Sequence, residues 1–175
     1  LARCRFEDGL SIYGPPGVEM LSTFIGYPYT VPIGELAYPV TITKLPEGRS
    51  DLHVRVKTAP LVHNQPVFGY RFELGKTIAF CTDTGPCDGI ITLGAGADLL
   101  ITECAYLPGQ EDPGWPHLNP EAALRLSKEA DAEQLALVHF AADLYTTIDH
   151  RLSIRDIGPE FSDVIIGMDD MIIKL

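Results

Sequence analysis

Two apolar runs between Lys76 and Cys104 each close on a carboxylate. This pattern confines the chain to folds whose buried strands deliver acids to loops at a sheet edge. Ile78, Ala79 and Phe80 lead to Asp83, and Thr84-Gly85-Pro86 then stops the strand, so its last side chain passes to a loop. Leu99, Leu100 and Ile101 lead in the same way to Glu103. A carboxylate there is costly to desolvate alone, which calls for a metal ion, a cation or a cage of hydrogen bonds. Asp before Thr-Gly is also ordinary turn chemistry, so Asp83 by itself decides little.

Two histidines repeat the motif. Ala59-Pro60-Leu61-Val62 ends on His63, and Leu135-Ala136-Leu137-Val138 ends on His139. Hydrolytic zinc sites are built from His and Asp side chains at strand ends, where loops leave a coordination position open for water. A third histidine, His117, stands just before a helix start. Asn119 suits the N-cap, Pro120 the first helical position and Glu121 the positive end of the helix dipole.

In order and spacing these residues resemble the metallo-β-lactamase fold hydrolases, and among them the ribonuclease-Z-like branch. The matching words are Val62-His63-Asn64-Gln65-Pro66, Cys81-Thr82-Asp83-Thr84-Gly85, Ala97-Asp98-Leu99-Leu100-Ile101-Thr102-Glu103, His117-Leu118-Asn119 and Leu137-Val138-His139-Phe140. The resemblance implies an α/β fold, the αββα sandwich, and a single domain over residues 1–175. It implies His63 and His139 as metal ligands, Asp83 as a ligand shared by two divalent ions, zinc or alternatively manganese, and a metal-activated hydroxide. Asp83, Glu103 and His117 become the candidate catalytic residues, His117 in proton transfer or in support of a ligand. The bond attacked is a phosphodiester, an ester or a lactone.

Departures from the family shape the expectation further. The motif His-x-His-x-Asp-His is absent and the chain starts at Leu1. The N-terminal part of the fold, with further metal ligands, is therefore expected to lie outside this chain. Family members that cut tRNA carry His-Glu-Ala-Thr where this chain has Thr102, Glu103, Cys104 and Ala105. The short interval from His63 to Asp83 leaves no space for the long arm that tRNA-processing members insert. Ribonuclease Z activity thus ranks below hydrolysis of a small substrate, and a non-catalytic binding or scaffold protein is the other alternative.

Charge points the same way, since 24 acidic against 13 basic residues give a formal charge of −11. That disfavours broad gripping of nucleic-acid phosphates and favours a small molecule or small phosphodiester as partner, with a homodimer left open. No apolar run approaches the roughly 18 residues of a membrane helix, and the sequence contains no basic-then-apolar leader, so a cytoplasmic protein is expected. Cys4, Cys81, Cys87 and Cys104 form no Cys-x-x-Cys pair and read as buried thiols.

The remaining pattern places the site on elements. Leu10–Tyr13 reads as a strand entering Gly14-Pro15-Pro16-Gly17, with a short helix over 18–25, and residues 26–39 as irregular. Residues 38–45 and 52–59 read as a hairpin about a turn at 46–50, with His53 in its second strand. Strands are expected over 66–74, 77–82, 98–102 and 135–139, and helices over 87–93, after Asn119 and over 143–154. A closing hairpin is expected over 163–175, turning at Asp169-Asp170.

Overall fold

The structure, a computed structural model, describes residues 6–25, 35–52 and 54–175. The readings placed on Cys4, on residues 26–34 and on His53 lie outside the described residues. The chain divides into two compact units, Leu1–Pro46 and Glu47–Leu175.

In the first unit, alternating Leu10 and Ile12 find alternating Val40 and Ile42. Strands β1 (Leu10–Gly14) and β2 (Val40–Lys44) pair in parallel, Leu10 opposite Val40 and Gly14 opposite Lys44. Gly14 has no room for a side chain, because a Cβ would lie 2.6 Å from Val18 Cγ2. The chain folds back tightly there into a 3₁₀ turn at Val18–Met20 and helix α1 (Leu21–Ile25), as the Gly-Pro-Pro-Gly signal predicts.

The expected hairpin between residues 38–45 and 52–59 does not form. β2 takes β1 as its partner, and the segment read as a turn supplies β3 (Gly48–Asp51), antiparallel to β4 (Arg55–Pro60). Pro46 removes a backbone donor, and Gly48, with φ of 98°, takes a conformation that other residues resist. Those two residues divide what otherwise reads as continuous strand pairing.

The second unit is built on a seven-stranded sheet in the order β3-β4-β5-β6-β7-β8-β9, with β5 at Phe68–Glu73, β6 at Thr77–Cys81, β7 at Leu99–Glu103, β8 at Leu135–Val138 and β9 at Ile165–Ile166. β3 to β6 pair antiparallel and β6 to β9 parallel. It follows that β4, β6, β7 and β8 all run the same way, and their carboxyl ends lie along one edge.

Strand alternation sorts the two faces. In register, Ala79 pairs with Leu100 and Leu100 with Leu135, which puts these three on one face. Helices α2 (Asp88–Gly94) and α3 (Pro120–Glu129) pack on this unit, α2 against β4, β5 and β6, and α3 against β7, β8 and α2. Gly69 in β5 is required by that packing, since a Cβ would stand 2.5 Å from Leu93 Cδ1 of α2. Leu93, Leu100 and Leu137 are wholly buried, each such side chain contributing about 1.5–3 kcal/mol by transfer from water. The opposite face carries Tyr70, Phe72, Ile78 and Ile101, partly exposed, and Phe80, which is exposed.

α3 begins as its sequence predicts, with the Asn119 side chain accepting from Ala122 N at 2.8 Å. The helix expected over 143–154 contracts to α4 (Ile148–Leu152). Thr147 caps it by accepting from His150 N, and Tyr145 turns inward, where its hydroxyl donates to Tyr106 O at 2.7 Å. The closing hairpin is absent among the described residues. β9 is two residues long and lies parallel to β8, and Ile172 beyond it is 84% exposed, with no strand beside it. Cys81 and Cys104 are buried as expected, and desolvation pushes both thiols up to about 12, whereas Cys87 is only half-buried. Among the described residues no helix is long and apolar enough to cross a membrane.

Candidate metal centre

Four same-direction strands end within reach of one another, and each delivers one polar side chain. His63 follows β4, Asp83 follows β6, Glu103 closes β7 and His139 follows β8. Loops beyond the carboxyl ends of neighbouring strands form the natural crevice of such a sheet. His117 reaches the same place from the loop before α3.

The loop that carries Asp83 is tied to the loop that carries His63. Val62 N donates to Thr84 Oγ1 at 3.1 Å, Gly85 N donates to Val62 O at 2.8 Å, and Thr84 is wholly buried. Gly85 leaves no space for a side chain, its Cβ position lying 2.7 Å from Pro116 Cβ. Asp83 Oδ1 thereby stands 3.1 Å from His63 Nε2 and 3.9 Å from His117 Nδ1, with 44% of its side chain still open to solvent.

Glu103 has the opposite character. It is completely buried and accepts from Thr84 N, from Leu118 N at 3.2 Å and from His117 Nδ1 at 2.9 and 3.0 Å. Such a cage gives the buried carboxylate oxygens hydrogen-bond partners in place of the water that burial removes. The Nδ1–H of His117 is committed to Glu103, and its other ring nitrogen is left for chemistry. The sequence singled out both residues without indicating that they touch. Thr102 pairs in register with Cys81 and Leu137 and is wholly buried, so by strand alternation it lies on the other face from Glu103.

Asp83, Glu103, His117 and His139 offer ligand atoms that all lie within 4.8 Å of one another. Donors around a single zinc-like ion at about 2.0–2.2 Å are at most about 4.4 Å apart, so small side-chain movements suffice to converge this set. His63, its Nε2 3.1 Å from Asp83 Oδ1, adjoins it. The mixture of imidazole nitrogen and carboxylate oxygen suits a divalent transition ion. Because the oxygens of Glu103 are already taken by three donors, His63, Asp83 and His139, together with Nε2 of His117, are left with lone pairs able to bind one. Trp115 and Tyr106 complete the surroundings, their rings 6.1 and 5.6 Å from that of His117. Neither contact had a signal in the sequence beyond Trp115 being the sole tryptophan of the loop.

Two of these residues also hold strained backbone. Asp83 has φ of 63° and His139 φ of 53°. Non-glycine residues cost roughly 1–2 kcal/mol in the left-handed region, which aspartate tolerates better than most. Replacing His139, whose side chain is exposed, removes little packing, so backbone terms decide the outcome. His139→Gly is expected to be more stable than His139→Ala by about 0.5–1 kcal/mol, strain relief exceeding the entropy cost of glycine. Thermal unfolding of the two variants checks this, and a less stable glycine variant would contradict it.

The chain belongs to the beta-lactamase superfamily, whose domain matches residues 4–140. It is 31% identical over 106 residues to ribonuclease Z of Sulfolobus acidocaldarius, an alignment covering 61% of this chain and 34% of that protein. Among solved structures, the metallo-beta-lactamase fold protein YhfI from Bacillus subtilis superposes with a TM-score of 0.67 at 21% identity, over 92% of this chain and 61% of that one. Human tRNase Z, short form, superposes with a TM-score of 0.68 at 23% identity, over 96% of this chain and 68% of that one. These likenesses establish the metallo-β-lactamase fold expected from the sequence. The chain spans about a third of the length of the first curated relatives it matches, 34% and 32%. Relatives named ribonuclease Z are at odds with the expectation that nucleic acid is disfavoured. Net charge is a property of the whole surface, and the chemistry of one phosphodiester is decided locally.

Proposed function

We propose that this chain belongs to a divalent-metal-dependent hydrolase of phosphodiesters, with esters and lactones as the alternative bonds, in which His63, Asp83 and His139 hold metal and His117 moves a proton. The observation that supports it most is the Glu103–His117 pair beside Asp83, a fixed proton carrier next to an open carboxylate. Divalent ions held there, zinc by the preference of such donors or manganese, would act as a Lewis acid on a non-bridging oxygen of the phosphoryl group under attack and would make a water acidic enough to serve as nucleophile.

The chain's own residues supply the rest. Asp83, held by the Thr84 anchor and open to solvent, accepts a hydrogen bond from the attacking water and sets its direction. His117, with its Nδ1–H kept on Glu103, would take on Nε2 the proton released by the attacking water and pass it to the leaving oxygen. Three protein ligands are enough for one catalytic zinc-like ion, so a second ion takes further ligands from outside the described residues. The substrate is a small phosphodiester, or the phosphodiester at the end of an RNA if the ribonuclease Z relatives are the better guide.

Hydrolysis of bis(p-nitrophenyl) phosphate tests the reading, measured after chelation and again with zinc or manganese restored. Turnover is expected to vanish on chelation and return with metal. Turnover that is absent throughout favours the binding or scaffold alternative, and turnover indifferent to chelation rejects the metal. Cleavage of precursor tRNA in the same conditions would identify the ribonuclease Z alternative.

A further inference from the structure

Trp115 is the only tryptophan of the chain, and 53% of its surface is open to solvent. Its ring centroid lies 6.3 Å from that of His63 and 6.1 Å from that of His117. The exposed indole therefore stands beside two of the proposed reacting groups. The backbone beneath it is fixed: Trp115 N donates to Asp112 O at 3.1 Å, Gly114 N donates to Asp112 Oδ1 at 2.8 Å, and the Tyr106 hydroxyl donates to Trp115 O. Pro113 and Pro116 bracket the segment and restrict it further. An aromatic ring held in place before the ligand arrives loses little conformational entropy on binding.

Charge does not offer the same service here. A cavity of about 180 Å³ beside His117 is lined by Glu111 and Asp112 and by no lysine or arginine. Arg151 lines the separate cavity beside His139, so on the His117 side the flat indole is the surface left for recognition. Stacking of bases on aromatic side chains is tolerant of sequence because every base has a π-face.

We infer that Trp115 is a specificity-determining residue, a platform on which a planar aromatic group attached to the scissile phosphoester stacks. That group is a nucleobase or an aryl ring, and the two share the same chemistry at the indole. The inference rests on the hydrolase reading only for its link to turnover, and the stacking itself can be measured without catalysis.

Because Trp115 is the sole tryptophan, intrinsic fluorescence above 295 nm excitation reports on it alone. Titrate the chelated protein with adenosine 5′-monophosphate, phenyl phosphate and ribose 5-phosphate. Saturable quenching by the first two is expected, with no response to ribose 5-phosphate. Quenching by the nucleotide alone identifies a nucleobase, and quenching by phenyl phosphate alone an aryl ester. Response to none of them, or an equal response to ribose 5-phosphate, overturns the platform.

Turnover supplies the second arm. Compare kcat/KM for bis(p-nitrophenyl) phosphate with that for methyl p-nitrophenyl phosphate, which share a leaving group and differ in whether the group retained on phosphorus is an aryl ring or a methyl, so the pair reports stacking of the retained group. Trp115→Ala should lower that preference by about 5- to 150-fold, and Trp115→Phe should keep most of it. A preference unchanged in Trp115→Ala overturns the inference. If neither ester is hydrolysed, the hydrolase reading fails, and the fluorescence titration still decides the platform.

Discussion

Asp83→Asn is expected to lower phosphodiester turnover by about 10²- to 10⁴-fold, the range spanned by a positioned proton-handling group, while the protein remains folded. The carboxylate is 44% exposed, so removing its charge breaks no buried network. Asparagine also tolerates the left-handed backbone that residue 83 adopts with φ of 63°. Alanine is the less clean variant, because it combines loss of the carboxylate with about 1–2 kcal/mol of backbone strain. Thr84, which fastens this loop through Val62 N, is untouched by either change. Measuring kcat/KM with metal restored, alongside the unfolding midpoint, separates the two effects. Activity within about tenfold of the parent would remove Asp83 from the chemistry.

The strand ends at His63, Asp83, Glu103 and His139 were legible because each closes an apolar run. Local sequence suffices for that, and the sheet needed only one common direction of β4, β6, β7 and β8 to bring them together. Pairing between distant segments was not legible. Leu10 and Ile12 carry no mark that assigns them to Val40 and Ile42, so β2 was paired with the wrong partner. The C-terminal hairpin failed for a related reason: the apolar run after Asp170 reads as a strand, but no strand lies beside it among the described residues. Contacts of His117 with Glu103 and of Trp115 with His63 join loops that only the folded sheet places side by side. The face that Thr102 takes turned on parity alone, since one residue's shift along a strand exchanges core for site.

Glu103→Ala is expected to cost roughly 2–6 kcal/mol of stability, a large share of the 5–15 kcal/mol typical of a folded domain. The carboxylate is wholly buried, and its loss strands two backbone donors, Thr84 N and Leu118 N, each costing about 1–3 kcal/mol when left unpaired. His117 Nδ1 would lose its partner in the same step. Glu103→Gln discriminates between charge and shape, since the amide keeps one acceptor oxygen and turns its NH₂ towards a donor. About half the alanine penalty is expected from it, and turnover at a temperature where it stays folded should fall by about 10- to 100-fold, as when an outer partner of a metal-site residue is lost. Urea unfolding of the three proteins measures the first effect. An alanine variant within 1 kcal/mol of the parent would mean that the donors around residue 103 find water instead, and that Glu103 does not hold the His63, Asp83 and His117 loops together. A buried charge survives in a core only where donors replace its hydration, and here those donors come from the loops that form the site. The group that orients His117 is thus also the group that closes this end of the sheet.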